Sequence, residues 1–342
     1  MKKSKLLMVL ILLFLVIISP LAAKGETETA KGKVAKVKIQ HVVSLENPWH
    51  KASVAMADFL NASDFFQADV FGSGVLSQNN WAVMFDQTQT GSNEIAVESA
   101  TALSSIVDEV FAINLPFMFE DQDHLDRWFN SGSKTLEKWL QKFEAKNLKV
   151  LTIVSKPFRQ CINNVRIIRE PKDLRGLKFR IPDSQLYYTV WEAMGAHPVA
   201  LAASEMYSGI QLGAINGQEN STPNVYDFKT HEVAKYMTLW NYMGDASILV
   251  MNLDIYNSLS DEQKQILSEG AQIFAEVNKQ ADLEYSVFAK SEMEKVGTVF
   301  YEMPQNEREV FASLMTPVYK EFEEKVGAED WNTFVKEVNA TR

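Results

Sequence analysis

Two arginines mark the most informative part of this sequence. Arg159 lies in Ser155-Lys-Pro-Phe-Arg-Gln160 and Arg180 in Gly176-Leu-Lys-Phe-Arg-Ile-Pro182, both at strand-like positions. A guanidinium presents a planar fork of N–H donors that matches a carboxylate through two parallel charge-assisted bonds, which an ammonium does not reproduce. The plainer reading of either residue is a surface ion pair, which contributes only ~0–1 kcal/mol and needs no special sequence. Catalytic patterns are missing. His41, His50, His124, His197 and His231 are scattered, without His-x-x-x-His or His-Glu-x-x-His spacing, and neither a Gly-x-Ser-x-Gly elbow nor a phosphate loop occurs. The pair Gly72-Ser-Gly74 lacks the third glycine of a dinucleotide fingerprint and reads as a turn. Cys161 is the only cysteine, which excludes an intramolecular disulfide and a thiolate zinc cage. No cofactor, metal or enzymatic activity is expected.

The elements that must position these side chains read as α/β. Val37–Val43 and Phe66–Phe71 form strand patterns, Ile95–Glu98 a short one and Val150–Val154 a buried one, with a helical run from Trp49 to about Leu60. Strand-helix-strand order favours a parallel sheet. Ser260-Asp-Glu-Gln263 matches a capping box, and Asp261–Val296 contains no proline and only Gly270 as a weak point. One helix of ~50 Å, with Gly270 as its one potential break, is expected there, long enough to bridge two units. Pro304 to about Val338 reads as a terminal helix pair.

Lys2, Lys3 and Lys5 precede thirteen apolar residues, Leu6–Ile18, followed by Ser19, Pro20 and Ala22-Ala23. This is the pattern of a cleaved secretory signal over residues 1–23, too short for the ~20 residues of a membrane-spanning helix. A mobile linker, 24–35, is expected to follow, and the location is periplasmic or otherwise extracytoplasmic. Removing the three leader lysines takes the formal net charge from −10 to −13. Such a field repels nucleic acid, so no nucleic-acid partner is expected, and any bound anion needs local geometry that overcomes it.

The order of motifs after Val154 resembles the extracytoplasmic solute-binding subunit of tripartite ATP-independent periplasmic (TRAP) transporters, the DctP-like family. The segments that carry the likeness are Gly-Leu-Lys-x-Arg-x-Pro, Met194-Gly-Ala-His-Pro198, and Gly217-Gln-Glu-Asn220. The resemblance implies a two-lobed α/β periplasmic binding protein fold with hinge strands and a long bridging helix. Lobe I is expected over 36–156 plus about 246–285, and lobe II over 157–245 plus about 286–342. It implies capture of an organic acid anion without chemical conversion, by a monomer that delivers it to membrane permease subunits. It also implies roles for residues: Arg180 as the principal carboxylate clamp, Arg159 as a second contact, Asn220 as an amide partner, and polar help from Glu98 and from Ser44–Asn47.

Each of these has a structural alternative. Arg166, Arg169 and Arg175 crowd the same stretch as Arg159, and Glu98 beside an anion makes sense only if it orients an arginine or accepts hydroxyl hydrogen bonds. Asn220-Ser-Thr is formally a glycosylation sequon, read here as chance. Trp49 and Trp81, at loop-to-helix starts, are candidates to face a ligand, whereas Trp191 and Tyr207 read as packing residues. Ser77-Gln-Asn79-Asn80 places neutral amides where many relatives carry glycine and acids, which adds Asn79 to the candidates. Sugar acids, dicarboxylates, keto acids and aromatic or branched monocarboxylates all remain open as cargo. An ATP-driven importer subunit, a secreted enzyme and a ligand sensor are the alternative functions.

Overall fold

The computed structural model describes residues 34–342. The expected signal, and the linker up to Lys33, lie outside the described residues; Ala35 already opens the first strand. The strands are β1 (Ala35–Gln40), β2 (Phe66–Phe71), β3 (Ile95–Ser99), β4 (Leu148–Asn163), β5 (Lys178–Ile181), β6 (His197–Ala200), β7 (Gly217–Asn220), β8 (Tyr236–Asn252) and β9 (Val299–Glu302). The helices of the first half are α1 (Pro48–Asn61), α2 (Trp81–Thr90), α3 (Ala100–Leu103), α4 (Gln122–Phe129) and α5 (Lys134–Gln141). Those of the second half are α6 (Gln185–Ala193), α7 (Met206–Gln211), α8 (Thr222–Asp227), α9 (Leu253–Ser258), α10 (Asp261–Lys295), α11 (Gln305–Ala312), α12 (Thr316–Val326) and α13 (Ala328–Ala340).

The strands form one sheet in the order β2-β1-β3-β8-β4-β7-β5-β6, with β9 added to β8. It is mixed rather than parallel. β1 pairs in parallel with β2 and β3, and β5 with β6 and β7, but β8 runs antiparallel to β3 and β4, and β4 antiparallel to β7. The parallel expectation held within each group of short strands and failed where the two longest strands join them. β4, expected to end at Val154, continues through Pro157 to Asn163. Pro157 has no N–H for the ladder, and the register shifts between Lys156 and Arg159 and again before Cys161 accommodate it as a bulge.

This junction has a functional geometry. Ser99 at the end of β3 faces Ser247 of β8, Lys156 of β4 faces Asp245, and Gln160 faces Asn220 at the end of β7. Both parallel groups therefore point their carboxyl ends at the same stretch, Lys156–Gln160, where the sheet changes neighbours. Crevices outside strand carboxyl ends at such switch points are where open α/β sheets bind ligands.

Helix α10 is continuous over 35 residues, about 52 Å at 1.5 Å per residue. Ser260 Oγ accepts from Gln263 N and the Gln263 side chain accepts from Ser260 N, the reciprocal capping predicted from sequence. Gly270 does not break the helix. A side chain there would meet Leu60 and Met56 of α1 at 3.2 and 3.4 Å, so its small size lets the two helices approach. The chain end forms three helices, not two, because Pro317 starts α12 afresh and Gly327, at φ 87°, separates α12 from α13.

One apolar core joins β1, β2 and β3 to α1 and the first half of α10, through Ile39, Met56, Leu60, Val97 and Phe274. A second gathers Phe179, Trp191, Trp240, Tyr242 and Phe311 around β5, α6 and β8. Trp191 is fully buried and stacked on Phe179, as a packing residue should be, whereas Tyr207 is only half-buried on α7. Cys161 is buried in β4 opposite Glu219, and burial pushes its thiol above the ordinary range.

Candidate functional site

At the sheet junction the two arginines have opposite fates. Arg159 is buried and uses all five N–H donors inside the protein. Its Nε and Nη2 donate to the two carboxylate oxygens of Glu219 at 2.5 and 2.7 Å, and Nη2 also donates to the Glu219 carbonyl. Nη1 donates to Asp245 Oδ2 at 3.0 Å and, more weakly, to Thr101 Oγ1 at 3.4 Å. Burial opposes its charge, but Glu219 and Asp245 hold Arg159 well above its ordinary proton affinity. Tyr242 Oη donates to the same Glu219 at 2.7 Å, so the carboxylate is fixed from both sides.

Arg180 is equally buried but nearly unpartnered. Only Nε bonds to protein, to the Leu201 carbonyl at 2.9 Å; neither terminal nitrogen has a hydrogen-bond partner among the described residues. Burial pulls this guanidinium down to about 10, with the Glu219 charge opposing, so it stays ionised at neutral pH. Four N–H groups on a desolvated cation form an open fork for a carboxylate.

Asn220 follows the same logic at the end of β7. Its Oδ1 accepts from Ser221 N and Asn224 Nδ2, while its Nδ2 bonds to no described residue. β7 reaches this place because Gly217 lies hard against β4. A Cβ there would stand 2.2 Å from the Ile162 carbonyl and 2.7 Å from Asn163 Cβ. Gly217→Ala is therefore expected to push β7 off β4 and cost about 1–3 kcal/mol in urea denaturation; unchanged stability would mean the close approach is not needed.

Glu98 is buried on β3, and its Oε2 has no hydrogen-bond partner. Burial raises its carboxyl to about 8; Lys156 and the Ser99 backbone oppose this and Asp245 adds to it. The folded protein thus holds a proton that the unfolded chain releases near 4.5. That stabilisation is complete below about 4.5 and is lost as pH rises through about 8. This contribution pulls the melting temperature down across the window, with Asp282, raised by burial to about 7, acting in the same sense and His41, lowered by burial to about 4, acting in the opposite sense below about 6.5; Glu98→Gln should therefore make the profile fall less steeply between pH 6.5 and 8 than in the wild type. An unchanged slope in the variant would remove Glu98 as its source.

The remaining expected residues take structural or peripheral positions. Trp49 is buried, donates from Nε1 to Ser247 Oγ and lies under Lys156 Nζ at 4.5 Å. Asn47 caps α1 through Trp49 N, and its Nδ2 donates to Asp227 of α8, so both ends of its side chain are occupied. Asn79 sits in an exposed left-handed turn, φ 58°, and bonds to none of the junction residues. Trp81 is 40% exposed. A groove of about 600 Å³ opens beside Val150–Val154 against α10, and none of the seven expected residues lines it. A smaller hollow of about 230 Å³ reaches Asp183–Leu186, just beyond the strand that carries Arg180.

Sequence reasoning missed Lys156, Glu219 and Asp245. All three are buried charges on strands. Asp245 within the otherwise uncharged run Tyr242–Asn252 was a readable signal, because an unpaired carboxylate does not survive in a buried strand.

Residues 39–325 match the bacterial extracellular solute-binding protein family 7, DctP. The chain belongs to this family. Among curated relatives of this solute-binding protein, it is 27% identical to the sialic acid-binding periplasmic protein SiaP of Vibrio cholerae, over 71% of this chain and 74% of that one. It is 25% identical to the C4-dicarboxylate-binding periplasmic protein DctP of Rhodobacter capsulatus, over 86% and 88%. A TRAP periplasmic solute-binding protein from Chromohalobacter salexigens, solved with D-glucuronate, superposes at TM-score 0.83 with 22% identity, covering 90% of this chain and all of that one. The two-lobed binding protein fold expected from sequence is the fold of this solute-binding protein. It is an extracellular solute-binding protein, as its family is, and not an enzyme. No described helix is long and apolar enough to cross a membrane.

Proposed function

We propose that this solute-binding protein captures an organic acid anion by engaging its carboxylate with Arg180, assisted by Asn220 Nδ2, and hands it to the permease of a TRAP transporter. The observation that carries the reading is the contrast between the arginines. Arg159 spends every donor on Glu219, Asp245 and Thr101, and so positions the junction instead of clamping cargo. Arg180 keeps four donors free in a buried setting. A buried cation short of hydrogen-bond acceptors is costly, and a carboxylate is the anion its fork fits.

Two lobes divide the chain as the motif resemblance implies, 36–156 with about 246–285, and 157–245 with about 286–342. The core of its own that β1–β3 form with α1 and the first half of α10 supports lobe I, with β4, β8 and α10 crossing out of it. Capture then means that the closed arrangement binds the anion better than the open one, which is the only way a ligand drives closure. The protein acts as an exported monomer beside its permease.

Native mass spectrometry of freshly purified protein tests this directly. A retained small acid, released on denaturation and rebound in calorimetry without chemical change, is the expected result. A chain that retains no acid and binds none overturns the reading.

A further inference from the structure

The sheet has an open edge in its middle. β8 flanks β4 along its whole length, but on the other side of β4 the short β7 pairs only with Gln160–Asn163. Between Lys149 and Val154 the backbone on that side bonds to no described residue; the next residue, Ser155, is held by Gln122 of α4. In an antiparallel pair alternate residues direct both N–H and C=O away from the partner strand, so this stretch presents a row of unpaired donors and acceptors. The register shift between Val150 and Thr152 does not close the edge, because Thr152, Ile153 and Val154 then follow in step opposite Leu249, Ile248 and Ser247. The groove of about 600 Å³ runs along this edge. One wall is Phe129 of α4 with Glu137 and Leu140 of α5, and the other is Ala275 and Glu276 of α10. Its charges do not balance. Lys279 pairs with Asp126 and Lys149 with Glu144, which leaves the exposed Glu137 and Glu276 without a cationic partner among the described residues.

We infer that this groove docks one extended segment of a partner protein, which adds to β4 as a strand and carries basic side chains to Glu137 and Glu276. The bare main-chain row calls for another extended backbone, as in strand addition to a sheet edge, and the half-buried Phe129, Leu140 and Ala275 receive apolar side chains that alternate with the basic ones. The excess negative charge selects lysine or arginine in the segment against aspartate or glutamate. The walls exclude a second copy of this chain pairing edge to edge, because the walls of the two copies would meet before their strands came within the ~4.8 Å of a ladder. None of Arg180, Asn220, Arg159 and Glu98 lines the groove, so strand docking and cargo capture are independent of each other.

The test uses the full chain and the peptide Lys-Val-Thr-Val-Lys-Val, acetylated and amidated at its ends, beside a version with glutamate for both lysines and a version with every backbone amide N-methylated. Fluorescence anisotropy at low ionic strength should show the lysine peptide binding at least ~10-fold more tightly than the glutamate peptide, and the N-methylated peptide not binding. Hydrogen exchange should slow at amides within residues 149–154 when the lysine peptide is bound. Glu137→Lys combined with Glu276→Lys, both at exposed positions, should reverse the preference between the charged peptides. Equal affinity for the two charged peptides overturns the inference, as does binding that survives N-methylation, protection confined to residues outside 149–154, or no saturable binding of either charged peptide. Self-association of the peptide-free chain that protects 149–154 would assign the edge to a second copy and overturn it as well.

Discussion

Arg180→Met is expected to abolish tight binding of the organic acid while leaving the ligand-free protein as stable as before, or more so. The loss should be roughly 2–5 kcal/mol, tens to thousands of fold, as for removal of one partner of a buried charge pair. The stability gain follows from the same burial: methionine fills similar space without a charge that has only the Leu201 carbonyl to satisfy it. Arg180→Lys is the geometric control. It keeps a cation but not the fork, and should also bind weakly. Calorimetry and thermal melting on the same preparations read both effects. Undiminished affinity in the methionine variant would exclude Arg180 from the site, and a large drop in ligand-free stability would show that its role is structural.

Glu219 is expected to behave in the opposite sense. Glu219→Gln leaves the buried Arg159 without this opposing charge and offers a single amide oxygen to three donors, Arg159 Nε and Nη2 and Tyr242 Oη, a break that costs about 3–5 kcal/mol in comparable buried pairs. The loss should appear in urea denaturation whether or not ligand is present. Removing both charges together, Arg159→Met with Glu219→Met, should recover a large part of it, because the penalty lies in the charge left alone. A single variant as stable as the wild type would mean that Arg159 is not locked by this pair, and would reopen it as a cargo contact.

These contrasts explain what could be read from the chain and what could not. The long helix was legible because its signals are local: a capping box at Ser260 and Gln263, then 35 residues with no proline. β2 was legible at both ends for the same reason. The full lengths of β4 and β8 were not, since Pro157 reads as a breaker and the bulge that absorbs it depends on a strand about ninety positions away in sequence. The site divided likewise. Arg180 and Asn220 stand out by motif, but the difference between Arg180 and Arg159 lies wholly in their partners. Glu219 is separated from Arg159 by 60 residues, and no spacing rule along one strand reveals that it closes over that guanidinium. Lys156 was overlooked because a lysine three residues before an arginine looks like an ordinary basic cluster until both prove to be buried.

The inaccessible thiol of Cys161 has a practical consequence. Because it lies inside the sheet with its proton held firmly, the folded molecule offers maleimides nothing to react with. Fluorophores or spin labels can therefore be installed at single engineered surface positions without first deleting a native site, and the proposed opening and closing can be tested in the otherwise unaltered polypeptide.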